Sequence, residues 1–190
     1  PIYTYNTYNN LFHTCVKFLK DLGHQIKEPT PSIVPLEVAE SWVHELAGVS
    51  LSFMKITFFL EDKKAFSKTG KVLFTHFGLS GPLILNSASR VGDLLQSGKV
   101  TAYIDAYPDT NHGALSEKIV KIFDANKNKT LKNVVKEFVF NGMQKGVTTI
   151  LGEYMDVDTK VHSITKEERK KIVHILKALP LTIEGLMGFD

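Results

Sequence analysis

Residues 49–74 read VSLSFMKITFFLEDKKAFSKTGKVLF, and their patterning decides the kind of fold this chain builds. Apolar side chains stand at Val49, Leu51 and Phe53, cluster from Ile56 to Leu60, return at Ala65-Phe66 and return again from Val72 to Phe74. Alternation with period two places every second side chain on one face, as a half-buried strand requires, whereas a helix needs a period of 3.6. The interruptions at Glu61-Asp62-Lys63-Lys64 and Lys68-Thr69-Gly70 carry turn chemistry, so the stretch predicts three or four antiparallel strands joined by hairpins. Val100-Thr101-Ala102-Tyr103-Ile104, after Gly98, predicts a further strand. Strands in this number close a small barrel or a curved sheet.

Working outward, the pattern changes on both sides. Upstream, Leu11, Phe12, Cys15, Val16, Leu19 and Leu22 recur at helical spacing and Gly23 follows as a C-terminal cap. Pro29, Pro31 and Pro35 then forbid helix around Ile33-Val34, which marks a boundary and an extended entry into a new unit. Downstream of Pro108, three apolar faces follow one another: Leu115, Ile119, Ile122 and Phe123; Leu131, Val134, Val135 and Phe138; Val147, Ile150, Leu151 and Tyr154. A fourth helix is the best marked. Thr165 and Glu168 stand at capping-box spacing, Ile172, Val173, Ile175, Leu176 and Leu179 form its stripe, and Pro180 ends it.

Composition excludes several classes. With 43% hydrophobic residues and a net charge of +3 among 190 residues, the chain has too much to bury for a disordered protein. The longest apolar runs, Ile56 to Leu60 and Leu83 to Leu85, fall far short of the roughly 20 residues that span a bilayer. A lone Cys15 and no signal-like start make a cytoplasmic, reducing setting the expectation. The start at Pro1 and the stop at Asp190, straight after an apolar segment, suggest a piece of something longer. The positive balance is interleaved with acids, as in Lys166-Glu167-Glu168-Arg169-Lys170-Lys171, and reads as a solvated helix face.

The chemistry-bearing stretch is Lys71-Val72-Leu73-Phe74-Thr75-His76-Phe77-Gly78-Leu79-Ser80-Gly81-Pro82, with Leu83, Ile84, Ala88, Val91 and Leu95 continuing at helical spacing. A strand here runs through a two-glycine turn into a helix whose first position suits Pro82. Two readings stay open. In one, the glycines admit a ligand, and Thr75, His76 and Ser80 supply polar contacts. In the other, they serve packing alone, and short glycine patterns often recur without ligands. His76 is the one histidine of seven in such a turn, and is the candidate acid or base. His13, His24, His44, His112, His162 and His174 are scattered, with none at metal-ligand spacing, so no metal site is expected. Gly78-Leu79-Ser80-Gly81 is not a nucleophile elbow, and no dinucleotide or phosphate loop is present. The segment from Thr130 to Tyr154, with Lys132, Lys136 and Lys145, is the only candidate for a nucleic-acid-reading helical hairpin, although its second helix has few side chains suited to base edges.

The run Leu73-Phe74-Thr75-His76-Phe77-Gly78-Leu79-Ser80-Gly81-Pro82 resembles the Leu-Phe-Thr-His-x-Gly-(Ile/Leu)-Ser-Gly-Pro signature of the YhiN/BaiN-type NAD(P)/FAD-dependent oxidoreductases, a bacterial flavoprotein family. Two flanking segments are similar to that family in the same order. These are Leu22-Gly23-His24 with Pro29 to Leu36, and Leu176 to Ile183 with Gly185 and Gly188-Phe189-Asp190.

The resemblance implies an α+β fold in which a small antiparallel β-barrel-like unit is followed by a short-helix bundle, the two forming an insert in an FAD-binding domain. On that scheme residues 1–32 are a helix and linker from the edge of the flavin domain, 33–110 the barrel-like part, 111–179 the helical part and 180–190 a return segment. It also implies that Thr75, His76, Gly78, Ser80 and Gly81 face the flavin or substrate cleft, with FAD as the longer protein's cofactor and NAD(P)H as its electron donor. The segment itself is expected to bind no FAD and to turn nothing over. Its partners would be the rest of the flavin domain and an unidentified small-molecule substrate, with a homodimer or a protein-interaction module as the alternative use. One departure stands out: the family's Gly-Asp-Gly aligns with His13-Thr14-Cys15, after a start rich in tyrosine and asparagine from Tyr3 to Asn10.

Overall fold

The computed structural model describes residues 5–26 and 32–187, with side chains from His13 onward. It divides into two units, Pro1–Thr30 and Pro31–Asp190. The linker prolines Pro29 and Pro31, the Tyr3-Thr4 start and the closing Gly188-Phe189-Asp190 lie outside the described residues.

The first unit is helix α1 (Tyr5–Asp21). Gly23, at φ +83°, ends it as expected: the His24 N–H reaches the Leu19 carbonyl and the Gly23 N–H the Lys20 carbonyl, a paired C-terminal cap. Cys15, on the apolar stripe of this helix, is exposed, and so are Phe18, Leu19 and Leu22.

The second unit is built on a closed six-stranded barrel. Its strands are β1 (Leu36–Val38), β2 (Ser50–Leu60), β3 (Lys63–Phe74), β4 (Gly78–Ser80), β5 (Val100–Asp105) and β6 (Leu179–Leu186), in the order β1-β4-β3-β2-β5-β6 with every pairing antiparallel. Glu61 and Asp62 turn the β2–β3 hairpin, both at positive φ, the two-residue geometry that matches strand twist. Inside lie Met54, Ile56 and Phe58 of β2, Phe66, Val72 and Phe74 of β3, Ala102 and Ile104 of β5, and Leu179, Leu181 and Ile183 of β6.

Two expectations are corrected. Lys68-Thr69-Gly70 is no turn: β3 runs unbroken through it, and Gly70 is used because a Cβ there would lie 3.2 Å from the Cβ of Leu83 on the helix packed above. The irregularities sit elsewhere: an extra residue on β2 between Leu51 and Met54 makes a bulge, with Phe53 exposed at φ +60°, and the register shifts again between Phe58 and Phe59, where Ala65 of β3 is the extra residue. Secondly, the stretch expected as a return segment carries the sixth strand, closing the barrel between β5 and β1. Pro180 hides that strand from a sequence reading, yet it fits. On the β1 side, the Thr182 N–H is taken by both carboxylate oxygens of Glu40 (2.8 and 2.9 Å), and β1 pairs only from Ile183 onward. By the two-residue period Pro180 aims its nitrogen to the same unpaired side, where no hydrogen is needed.

Helices fill three of the connections between strands. Between β1 and β2 lies α2 (Ser41–His44); between β4 and β5 lie α3 (Pro82–Leu85) and α4 (Ala88–Leu95). The single helix expected from Pro82 to Leu95 therefore breaks at Asn86-Ser87, where the buried Ser87 hydroxyl donates back to the Leu83 carbonyl at 2.7 Å. Between β5 and β6 come α5 (His112–Ala125), α6 (Leu131–Val134), α7 (Gln144–Gly152) and α8 (Lys166–Lys177), with short 3-10 turns after α6 and before α8. The capping box on α8 is present in both directions: Thr165 Oγ1 accepts from the Glu168 N–H, and the Glu168 carboxylate accepts from the Thr165 N–H at 2.7 Å. These bonds hold the Glu168 carboxyl below its usual range.

Helices and barrel share one hydrophobic core. The tie at their junction is Lys177, whose ammonium donates to Asp105 Oδ2 (2.7 Å) and to the carbonyls of Tyr107 (2.7 Å) and Thr110 (2.9 Å), with little of either charged side chain exposed. Three acceptors around one ammonium satisfy it fully, which a buried charge requires. Tyr107 adds a second tie, donating its hydroxyl to the Phe138 carbonyl, and burial pushes its phenol above the usual value.

Candidate functional site

The turn from Thr75 to Gly81 joins β3 to β4 and then α3, and most of its polar and glycine character is used internally. The Thr75 hydroxyl donates to the Gly78 carbonyl (3.0 Å) and accepts from the Gly78 N–H (3.1 Å), while the Thr75 N–H donates to the same carbonyl (2.8 Å). Gly78, buried at φ +152°, lies so close to β1 that a Cβ would sit 2.2 Å from the Leu36 carbonyl oxygen. Gly81, at φ +94°, would place one 2.9 Å from the Leu73 nitrogen and 3.1 Å from the Lys71 carbonyl. Both glycines are thus required by backbone passing backbone, the packing alternative left open by the sequence.

Two members of the turn keep their chemistry free. His76 is exposed, its ring edge-on to Phe77 with centroids 4.9 Å apart, and its nitrogens have no hydrogen-bond partner among the described residues. Ser80 is half-buried on β4 opposite Leu73, and its hydroxyl likewise has none among them. The turn therefore offers one imidazole and one hydroxyl on a rigid frame, with Thr75 positioning the loop.

A second locus was not visible in the sequence. Where α8 leaves the helical layer and continues into β6, it stands off the outer face of the barrel and leaves a groove of about 570 Å³. Tyr103 of β5 and Tyr154 beyond α7 form its aromatic sides, and Lys170, Lys171 and His174 line the α8 side. Ile175, Ala178 and Pro180 make an apolar floor. Tyr154, grouped by spacing with the buried face of α7, is instead 52% exposed. The lysines were read as a solvated face and His174 as scattered. The signal that was present is their spacing: 170 and 174 lie one above the other on α8, beside 171 and 175.

The remaining candidates shrink on inspection. The segment from Thr130 to Tyr154 is one α turn, one 3-10 turn and α7, and α7 buries Gly146, Val147, Ile150 and Leu151. A Cβ at Gly146 would lie 2.8 Å from the Trp42 carbonyl, so that face belongs to α2 and not to a groove of nucleic acid. Lys132 is paired with Asp158. Among the described residues no group of three or more His, Cys, Asp or Glu side chains is arranged to hold a metal, and no helix is long and apolar enough to cross a membrane. Nor do the described residues fit FAD. Every strand pairing among them is antiparallel, so they form no parallel βαβ unit of the kind that carries a dinucleotide.

The family model described as HI0933-like protein barrel and H2TH domain matches residues 30–190, which is the second unit almost to the residue.

Proposed function

Because the chain belongs to the HI0933-like family, whose barrel and H2TH domain is the insert of the YhiN/BaiN-type flavoproteins, we propose that it works as the substrate-side cap of an FAD-dependent oxidoreductase. The flavin would be held by another part of the longer protein and reduced by a nicotinamide nucleotide. When bound, FAD supplies the redox chemistry, and this domain's share is to wall off the substrate and present polar groups to it.

The observation that carries this reading is the pairing of the family match with the exposed His76 and the unpartnered Ser80 hydroxyl, both held on a turn whose every other member is locked. A rigid turn places an imidazole at low entropic cost, and His76 is the group suited to pass or accept a proton there. Ser80 would orient substrate through a hydrogen bond. Thr75 acts through the loop and touches no substrate.

The test is the absorbance spectrum of the full-length protein titrated with FAD, beside the same titration of this chain. Flavin bound by the longer protein, with turnover or substrate affinity reduced at least about tenfold in His76→Ala, is the expected result. No flavin binding in the longer protein overturns the oxidoreductase reading. Unchanged kinetics in the variant remove His76 from the site.

A further inference from the structure

We propose that the groove between α8, the outer face of β5 and β6, and Tyr154 is a binding site for a small planar anion, a ring system carrying a phosphate or a carboxylate. It shares no residue with the turn from Thr75 to Gly81 and stands independently of the oxidoreductase reading.

Unsatisfied chemistry carries the inference. Several polar side chains near the barrel are engaged, whereas the His76 ring, the Ser80 hydroxyl and the buried Trp42 Nε1 are not: Lys177 has three acceptors, Glu40 takes the Thr182 N–H, and Lys68 donates to the Asn86 carbonyl at 2.7 Å. In the groove, the hydroxyls of Tyr103 and Tyr154 and the nitrogens of His174 have no hydrogen-bond partner among the described residues. Lys171 has no ion pair within contact distance, and Lys170 has only a 4.0 Å approach to the exposed Glu167. Five donor-bearing side chains, from β5, α8 and the turn after α7, therefore converge on one cleft with their donors unclaimed.

The shape sets the rest of the ligand. A volume of about 570 Å³ is that of a small-molecule site, whose walls are mainly apolar with a few placed polar groups. Ile175, Ala178 and Pro180 supply its apolar lining, and the Tyr103 ring is itself held on edge against Phe59, with centroids 5.5 Å apart. A ring packs against such walls, while its anionic group meets the two ammonium groups and the imidazole along α8. Carboxylates do not line the groove, so an anion is not repelled at contact.

The experiment is an amide and methyl NMR titration of the whole chain with adenosine 5′-monophosphate and 2-naphthoate as ring-bearing anions. Adenosine serves as the ring without charge and inorganic phosphate as the charge without ring. The expected result is saturable shifts at Tyr103, Ile175 and Ala178 with at least one ring-bearing anion, binding at least tenfold tighter than adenosine or phosphate; whichever of the two binds tighter names the anionic group. The double variant Lys170→Gln/Lys171→Gln, both side chains being exposed, should keep its spectrum and bind that anion at least tenfold more weakly. Phosphate matching the ring-bearing anions, adenosine matching the nucleotide with naphthoate silent, or no shift at the groove overturns the proposal. So does an oligothymidylate that binds tighter than the mononucleotide with a steep salt dependence, which marks a nucleic-acid strand as the occupant.

Discussion

The turn from Thr75 to Gly81 and the groove along α8 are opposites. The turn concentrates glycine, threonine, histidine and serine in one short motif, yet its two glycines are there because a Cβ on either would come within 3 Å of the backbone of β1 or β3, and its threonine closes the loop on itself. The groove is assembled from tyrosines, lysines and a histidine in a sequence without any motif, and its side-chain donors go unclaimed, as do only His76 and Ser80 of the turn. A dense signature reports that a stretch is constrained. Whether the constraint comes from a ligand or from the chain's own backbone is decided by what already occupies the space.

The sharpest break of that comparison is Gly78→Ala. A methyl at a site 2.2 Å from a backbone carbonyl, on a backbone at φ +152°, should cost about 3–5 kcal/mol in urea denaturation. A loss below ~1 kcal/mol would mean that β1 can retreat and that the glycine is free to serve something else.

Next comes Lys177→Met, which strands the Asp105 carboxylate at the point where α8 meets the barrel and should cost about 2–3 kcal/mol, less than for a fully buried pair. Adding Asp105→Asn should restore part of the loss, since two neutral groups need no charge partner. If the double variant is less stable than the single by the full cost of Asp105→Asn alone, the ammonium contributes through its carbonyl contacts and not through the pair.

Thr165→Ala removes the cap at the other end of the helix that carries the groove and should cost about 1 kcal/mol at neutral pH. Its pH dependence has a definite sign. The Glu168 carboxyl is held low in the folded state, by the Thr165 backbone and then its hydroxyl, so this contribution is complete above the unfolded glutamate value and is lost as pH falls through the lower folded one. The gap between wild type and Thr165→Ala should narrow on acidification. A gap that widens would mean that the box is not held by the carboxylate.

The smallest effects belong to the groove itself. Tyr154→Ala and Lys171→Gln, both exposed, should each move stability by less than ~0.5 kcal/mol. A larger loss on thermal melting would make the groove a packing feature after all, and would bring the two regions together.

Much of the scaffold was legible, for local reasons. The β2–β3 hairpin shows in its period and its Glu61-Asp62 turn, β5 in Val100 to Ile104, α1 in Gly23, and α8 in its box, because each depends on residues within one turn or one strand of each other. The unbroken β3 was not, because Gly70 is explained only by Leu83 packing over it. The candidate site was legible in half: the motif pointed to Thr75 through Gly81, but not to which of its members keep their chemistry.

The sequence by itself determined the class of fold and the ends of the best helices, since these follow from periodicity and capping within short windows, and the run from Leu73 to Pro82 carried the resemblance to the family. Tertiary structure alone decided that Leu179–Leu186 closes the barrel, that Glu40 supplies the hydrogen-bond partner missing at Thr182, and that Tyr103, Tyr154 and Lys171 share a cleft. Those outcomes depend on which distant backbones lie side by side, and a strand or a charged helix face carries no local mark of its neighbour.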